Sequence, residues 1–253
     1  MSAIVMVHGA FCGGWAFEPF RAPFEAAGFK VIAPDLRGHS ADDPSGAVAG
    51  VSMSDYAADV AALCARLDGP PVLLGHSMGG LVAQLAARRT PLQALVLLAP
   101  SPPWGVAAGS LEEAATAFGV HLIGPFSSGA LTPDRGLMRA YSLDRLDRAE
   151  REAAVARLRP ESATAVRETL NWWADPFMTT SLGPGPLAAP SLVVAGERDV
   201  VHSPGTCAAV AERIGADFKV MPGMSHWLMG EPGWEAVAQA VLAWIAETVS
   251  LAA

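Results

Sequence analysis

The residue best placed to do chemistry is a serine. The stretch Leu73-Leu74-Gly75-His76-Ser77-Met78-Gly79-Gly80 holds the only Gly-x-Ser-x-Gly of the chain. An apolar run precedes it and a helical pattern follows it, the context that a nucleophile elbow requires. In such an elbow the serine sits on a sharp, strained turn. A side chain two residues before or after it would clash, so both places are glycine. The turn lifts the hydroxyl above the sheet edge, and the next helix points its N-terminus at the site. His76 adjoins the serine, but in such a turn it is expected to face away and not to serve as the base.

A serine hydroxyl is a weak nucleophile and needs a base. Three histidines follow Ser77: His121, His202 and His226. His226, in Met224-Ser225-His226-Trp227, comes directly after the last apolar run and before the last helical pattern. A loop at the carboxyl end of a strand is where a parallel sheet places its site. His226 is therefore the candidate base. An acid should lie between serine and histidine, again after a strand, and Gly196-Glu197-Arg198-Asp199 supplies it. Asp199 is the candidate, with Glu197 its nearest competitor; it would fix the tautomer of His226 and stabilise the imidazolium. The oxyanion of an attacked carbonyl needs backbone donors. The amide of Met78 is one candidate. The second should come from the loop His8-Gly9-Ala10-Phe11-Cys12-Gly13-Gly14-Trp15, with Ala10 first and Phe11 next. Cys12 in that loop reads as a small apolar filler.

The elements that must position these groups are legible as short apolar runs alternating with helical patterns. Strands are expected at Ala3–Val7, Lys30–Ala33, Pro71–Leu74, Leu95–Ala99, Ser191–Ala195 and Phe218–Met221. Most lack polar alternation, which suits parallel strands covered on both faces. Helices are expected near 15–27, 54–67, 78–89, 204–214 and 233–248, with Ser54 as an N-cap and Gly28 and Gly69 as stops. The alternation predicts right-handed βαβ units and a mostly parallel sheet. It breaks between Pro100 and Pro190, where no convincing strand appears. Val166, Leu170 and Trp173 there share one helix face. Asp134 to Glu161 is dense in charge and reads as a solvated helix surface. The domain expectation is a core of 1–100 and 188–253 with a helical cap, 101–187, inserted between two core strands. If that layer covers the elbow, Trp104, Phe118, Phe126, Trp172, Trp173 and Met178, together with Trp227, are candidate walls of an apolar substrate site.

Composition narrows the classes. The chain has 253 residues, 51% of them hydrophobic and only 17% charged, which excludes intrinsic disorder. The net charge of −8 and the absence of a basic run argue against nucleic acid. The mean hydropathy is +0.31, yet no continuous apolar span of about 20 residues survives. There is no basic region ahead of an apolar one at the N-terminus. Three widely spaced cysteines, Cys12, Cys64 and Cys207, suit free thiols in a reducing interior. A soluble, cytoplasmic protein is expected, with no membrane partner. No metal or dinucleotide signature occurs, so no cofactor is expected.

In order and context these motifs resemble the α/β-hydrolase family. His8-Gly9-Ala10-Phe11, Gly75-His76-Ser77-Met78-Gly79-Gly80, Gly196-Glu197-Arg198-Asp199 and Ser225-His226 carry the resemblance, and it covers essentially the whole chain. Pro34-Asp35-Leu36-Arg37-Gly38-His39-Ser40 also matches a turn of the family, in which the Asp is structural. The chain is most similar to the small capped group of plant methylesterases, hydroxynitrile lyases and bacterial relatives. It starts at the strand before the His-Gly loop, which leaves about six strands. The resemblance implies a serine hydrolase acting on a small carboxylic ester. Lyase, thioester, lactone or carbon–carbon cleavage, or a hydrolase-like small-molecule receptor, are the alternatives. The hydroxynitrile lyases place Lys directly after the histidine; here that residue is Trp227, and neither lysine of the chain, Lys30 or Lys219, adjoins a triad candidate.

Overall fold

The computed structural model describes residues 2–107, 109, 129–172 and 175–249. Six strands form one sheet: β1 (Ala3–Val7), β2 (Lys30–Ile32), β3 (Val72–His76), β4 (Ala94–Leu98), β7 (Ser191–Gly196) and β8 (Asp217–Met221). Their order is β2-β1-β3-β4-β7-β8, and every pair is parallel. Such a sheet needs a crossover between neighbours. The crossovers contain α1 (Glu18–Ala26), α2 (Met53–Ala65), α3 (Met78–Ala87) and α6 (Pro204–Ile214), with α7 (Trp234–Thr248) closing the chain.

Side chains alternate across a strand, so the central strands feed two cores. Ile4, Met6, Val72, Leu74, Val96 and Val194 face the layer of α1 and α7, where Phe20 and Phe24 meet Val241 and Ile245. Val5, Val7, Leu73, Leu95, Leu97 and Val193 face the layer of α2, α3 and α6. β3 and β4 are buried along their whole length, which is why they read as unbroken apolar runs. The expected strands are all present; β1 has the expected bounds, and the others differ by one or two residues at one or both ends. The N-cap of α2 is Ser52, not Ser54: the Ser52 hydroxyl accepts from the Asp55 amide and the Asp55 carboxylate accepts from the Ser52 amide. That reciprocal box satisfies two groups the helix start would leave open.

The segment between β4 and β7 contains α4 (Arg148–Arg157) and α5 (Ala163–Leu170). It also contains one antiparallel pair that the sequence did not suggest, β5 (Ala130–Leu131) with β6 (Glu161–Ser162). Two-residue strands carry no periodicity to read. The expected solvated charge is found in the exposed pairs Arg139–Glu152 and Arg157–Glu18. Glu161 departs from that expectation, for it is fully buried. Among the described residues, no helix is long and apolar enough to cross a membrane.

Candidate active site

Ser77 links β3 to α3 with φ 52° and ψ −124°, a conformation strained for a residue with a Cβ. The surroundings explain both flanking glycines. A Cβ on Gly75 would strike the carbonyl oxygen of Gly79, and one on Gly79 would strike that of His8. The elbow is thus pressed against the loop after β1 and tolerates no side chain at either place.

Three side chains from three loops form a hydrogen-bonded chain. The Ser77 Oγ lies 3.1 Å from His226 Nε2, and His226 Nδ1 lies 2.8 Å from Asp199 Oδ2. A carboxylate can only accept, so Nδ1 carries the hydrogen and Nε2 is left to receive the serine's. The other carboxylate oxygen of Asp199 accepts from the amides of Val201 and His202, at 2.8 and 2.9 Å. Burial alone would raise the Asp199 pKa; the charge and hydrogen bond of His226 hold it below the usual value. Glu197 turns elsewhere, accepting from the amide of Gly223.

The loop that carries His226 is braced from behind. His76 does not face away from the site as expected. Its ring packs against His226 at 4.8 Å and Trp227 at 5.7 Å, and its Nε2 donates to the carbonyl of His226 at 2.9 Å. Burial, and then the neighbouring His226, push its pKa well below the ordinary value, so it is a neutral prop. His202 packs edge-on against His226 at 5.4 Å and meets the Ser101 hydroxyl at 2.8 Å. Glu231 accepts from the amide of Ser225, and burial pushes its pKa up to about 7.

Met78 is the first residue of α3, where an amide has no partner within its helix. In the loop after β1, the Phe11 amide donates to the Glu161 carboxylate at 3.4 Å. Both loop candidates line the same cavity as Ser77 and Met78; what sets them apart is that the Phe11 amide is engaged by Glu161. Cys12 is buried, and that burial raises its thiol pKa, which suits a filler and not a nucleophile.

A cavity of about 200 Å³ opens over Ser77 and His226. Its wall includes Met138, Tyr141, Val166, Leu170, Trp172 and Trp227. Trp172 and Trp227 were expected there; the helix face of Val166 and Leu170 also meets the cavity. Trp104 and Met178 do not line it. Trp104 packs edge-on against Trp172 at 5.5 Å, one layer back, and Met178 is 48% exposed. Phe118, Phe126, Trp173 and His121 lie outside the described residues. Among the described residues, no group of three His, Cys, Asp or Glu side chains is arranged to hold a metal ion.

The family model described as "Alpha/beta hydrolase family" matches residues 4–240. The chain belongs to the alpha/beta hydrolase family. This member is 39% identical over 88 residues to a pyrethroid hydrolase of Sphingobium wenxiniae, a match covering 35% of this chain and 31% of that protein. The matched stretches span between 30% and 40% of the length of its curated relatives. Among solved structures, a methylesterase from Arabidopsis superposes with a TM-score of 0.75 over 98% of this chain and 100% of that one, at 18% identity. A thermophilic esterase from Thermogutta terrifontis does so with a TM-score of 0.71 over 99% of this chain and 91% of that one, at 26% identity. This alpha/beta hydrolase therefore shares its fold, over nearly the whole chain, with the small esterase group that its motifs resemble.

Proposed function

We propose that this alpha/beta hydrolase is a serine esterase that cleaves small, apolar carboxylic esters through an acyl-enzyme. The observation that carries the reading is the unbroken chain Ser77–His226–Asp199 at the floor of a mostly apolar cavity. The names of the relatives, a pyrethroid hydrolase, a methylesterase and an esterase, support the ester as the bond class.

Ser77 Oγ attacks the ester carbonyl while His226 Nε2 takes its proton. Asp199 holds the imidazole with its hydrogen on Nδ1 and stabilises the imidazolium that forms. The carbonyl oxygen becomes an oxyanion, received by the amides of Ala10 and Met78; the N-terminal end of α3 adds its positive dipole. His226 then gives its proton to the departing alcohol. A water attacks the acyl-enzyme and loses a proton to His226, which returns it to Ser77 as the acid leaves. The segment 101–187 acts as a cap over a core of 1–100 and 188–253. Its Trp172, with Trp227 of the core, forms part of the apolar wall against which the substrate packs.

The test pairs labelling with turnover. A fluorophosphonate should modify Ser77 as located by mass spectrometry, and p-nitrophenyl acetate should turn over with a burst. A label on another residue would sink the assignment. Labelling without turnover would leave a small-molecule binder and not an esterase.

A further inference from the structure

Glu161 is fully buried at the edge of the proposed cap, in β6. A buried carboxylate persists only where its oxygens are satisfied, and here both are. Oε1 accepts from the Tyr56 hydroxyl and from the Ser162 amide, each at 2.7 Å. Oε2 accepts from His39 Nε2 at 3.0 Å and from the Phe11 amide at 3.4 Å. The other nitrogen of His39 meets the Arg37 carbonyl at 3.3 Å, so both ring nitrogens donate and the imidazole is a cation. The carboxylate therefore has a counter-ion on one side and the loop after β1 on the other.

Phe11 has φ 63°, a left-handed conformation that a bulky residue avoids unless its surroundings impose it. Its peptide groups are held on both sides by one short stretch. The Phe11 amide donates to Glu161, and the Phe11 carbonyl accepts from the Arg159 amide at 2.8 Å. Within the loop, the Cys12 amide closes a turn onto the Gly9 carbonyl at 3.3 Å. Ala10 sits inside this turn. Its amide lies one residue before the Phe11 peptide groups that Arg159 and Glu161 hold.

We propose that Glu161 is a positioning residue for the oxyanion: anchoring Phe11 in its left-handed conformation fixes the Ala10 amide, and seating of the cap on the core is a condition for full oxyanion stabilisation. This rests on the esterase reading above, in which Ala10 is one of two oxyanion donors. Charge matters as well as shape. A glutamine at the same place offers one neutral oxygen to a site that now gathers one cationic and three neutral donors.

The experiment uses the full chain carrying Glu161→Gln and, separately, Tyr56→Phe, which removes one donor to the carboxylate and leaves the carboxylate itself in place. Active sites are titrated with a fluorophosphonate, so that kcat refers to competent molecules. For Glu161→Gln, kcat on p-nitrophenyl acetate should fall about tenfold or more, short of the 10²–10³-fold of an outright lost oxyanion donor. KM should stay within about threefold, since the effect is confined to the transition state. Binding of a trifluoromethyl ketone, whose serine adduct carries the oxyanion, should weaken by the same factor as kcat. Tyr56→Phe should move both quantities in the same direction and less. A role in packing alone would lower thermal stability without moving kcat per titrated site or the inhibitor constant. If Glu161→Gln does not fold, Tyr56→Phe decides. Wild-type kcat and inhibitor constant in the folded variants, or a raised KM with kcat unchanged, would overturn the proposal. Failure of the esterase reading would show earlier and separately, as a wild type that neither turns over nor labels.

Discussion

His226 on Asp199 and His39 on Glu161 are two buried histidine–carboxylate pairs with nitrogen–oxygen distances of 2.8 and 3.0 Å. Their side-chain chemistry is nearly the same, and their roles differ because of what the second ring nitrogen meets. For His226 that neighbour is the Ser77 hydroxyl, at the cavity. A hydroxyl can donate, so the imidazole can stay neutral and receive a proton. For His39 it is the Arg37 carbonyl, which can only accept. The imidazole must then donate on both sides, which favours its charged form. A histidine–carboxylate pair is thus a base or a fixed ion pair according to one further atom. The first pair sits where a substrate can reach it; the second is closed in between α2, the loop after β1 and β6.

The sharpest break of this comparison is at the serine. Ser77→Ala removes the hydroxyl whose proton His226 takes in the proposed reaction, and leaves a small side chain in a turn that the glycines already shape. Turnover should fall by about 10⁴- to 10⁶-fold, and fluorophosphonate labelling should vanish while the circular dichroism spectrum is kept. Residual labelling at Ser101, whose hydroxyl meets His202, would reassign the nucleophile.

Next in size is the carboxylate. Asp199→Asn keeps the shape but can present an amide to Nδ1, which would force the wrong tautomer on His226. The expected loss is about 10⁴-fold in kcat with KM little changed. The neutralising change at Glu161 is expected to cost far less, because that carboxylate acts on the reaction only through the Phe11 peptide. Equal losses in the two variants would erase the distinction between the pairs.

How far the sequence reached depends on where each pair's partners lie. The elbow and Asp199 were legible because each follows a buried apolar strand; His226 follows the mostly exposed β8, and the order of the elements pointed to it. β3 and β4 were legible because they are buried on both faces and so lack polar alternation. Glu161 was hidden: its partners His39 and Tyr56 are 122 and 105 residues away, and its own neighbourhood of exposed Arg and Glu argues for solvent. His76 was misplaced for a related reason. A turn's geometry fixes where the chain goes, whereas the carbonyl that captured the ring belongs to a loop 150 residues later. Trp104 and Met178 show the limit of composition. An apolar side chain in an inserted layer can face the cavity, a second ring or solvent, and nothing in its type selects among them.

The two pairs should also respond differently to pH. Burial would lower the His39 pKa, yet the hydrogen bond and charge of Glu161 raise it above 6.5. A raised histidine stabilises the fold fully below 6.5 and loses that contribution as pH rises through the folded value. Burial would raise the Glu161 pKa, yet His39 and its other donors lower it below 4.5. A lowered carboxylate contributes above 4.5 and loses that contribution as pH falls through the folded value. The pair therefore stabilises most between those two values. The difference in Tm between wild type and Glu161→Gln should be greatest near pH 5–6 and shrink toward pH 9. A difference that grows steadily toward alkaline pH would show that the pair is not ionic.

The smallest expected effect separates the cavity wall from the layer behind it. Trp172 lines the cavity; Trp104 does not, and packs against Trp172. If the wall recognises the acyl chain by burying it, each added methylene contributes at most about 0.8 kcal/mol, or about fourfold in kcat/KM, until the space is full. A cavity of about 200 Å³ should be filled early, so a series of p-nitrophenyl esters from acetate to octanoate should rise and then level or fall. Trp172→Ala should move the optimum toward longer chains, because the removed indole leaves room that further methylenes can occupy. Trp104→Ala should lower thermal stability through the lost ring contact while leaving the optimum within one step of wild type. The same shift in both variants would mean that the two rings act as one wall. A flat wild-type series would mean that the cavity admits the chain without burying it, and recognition would then have to come from the alcohol side of the ester.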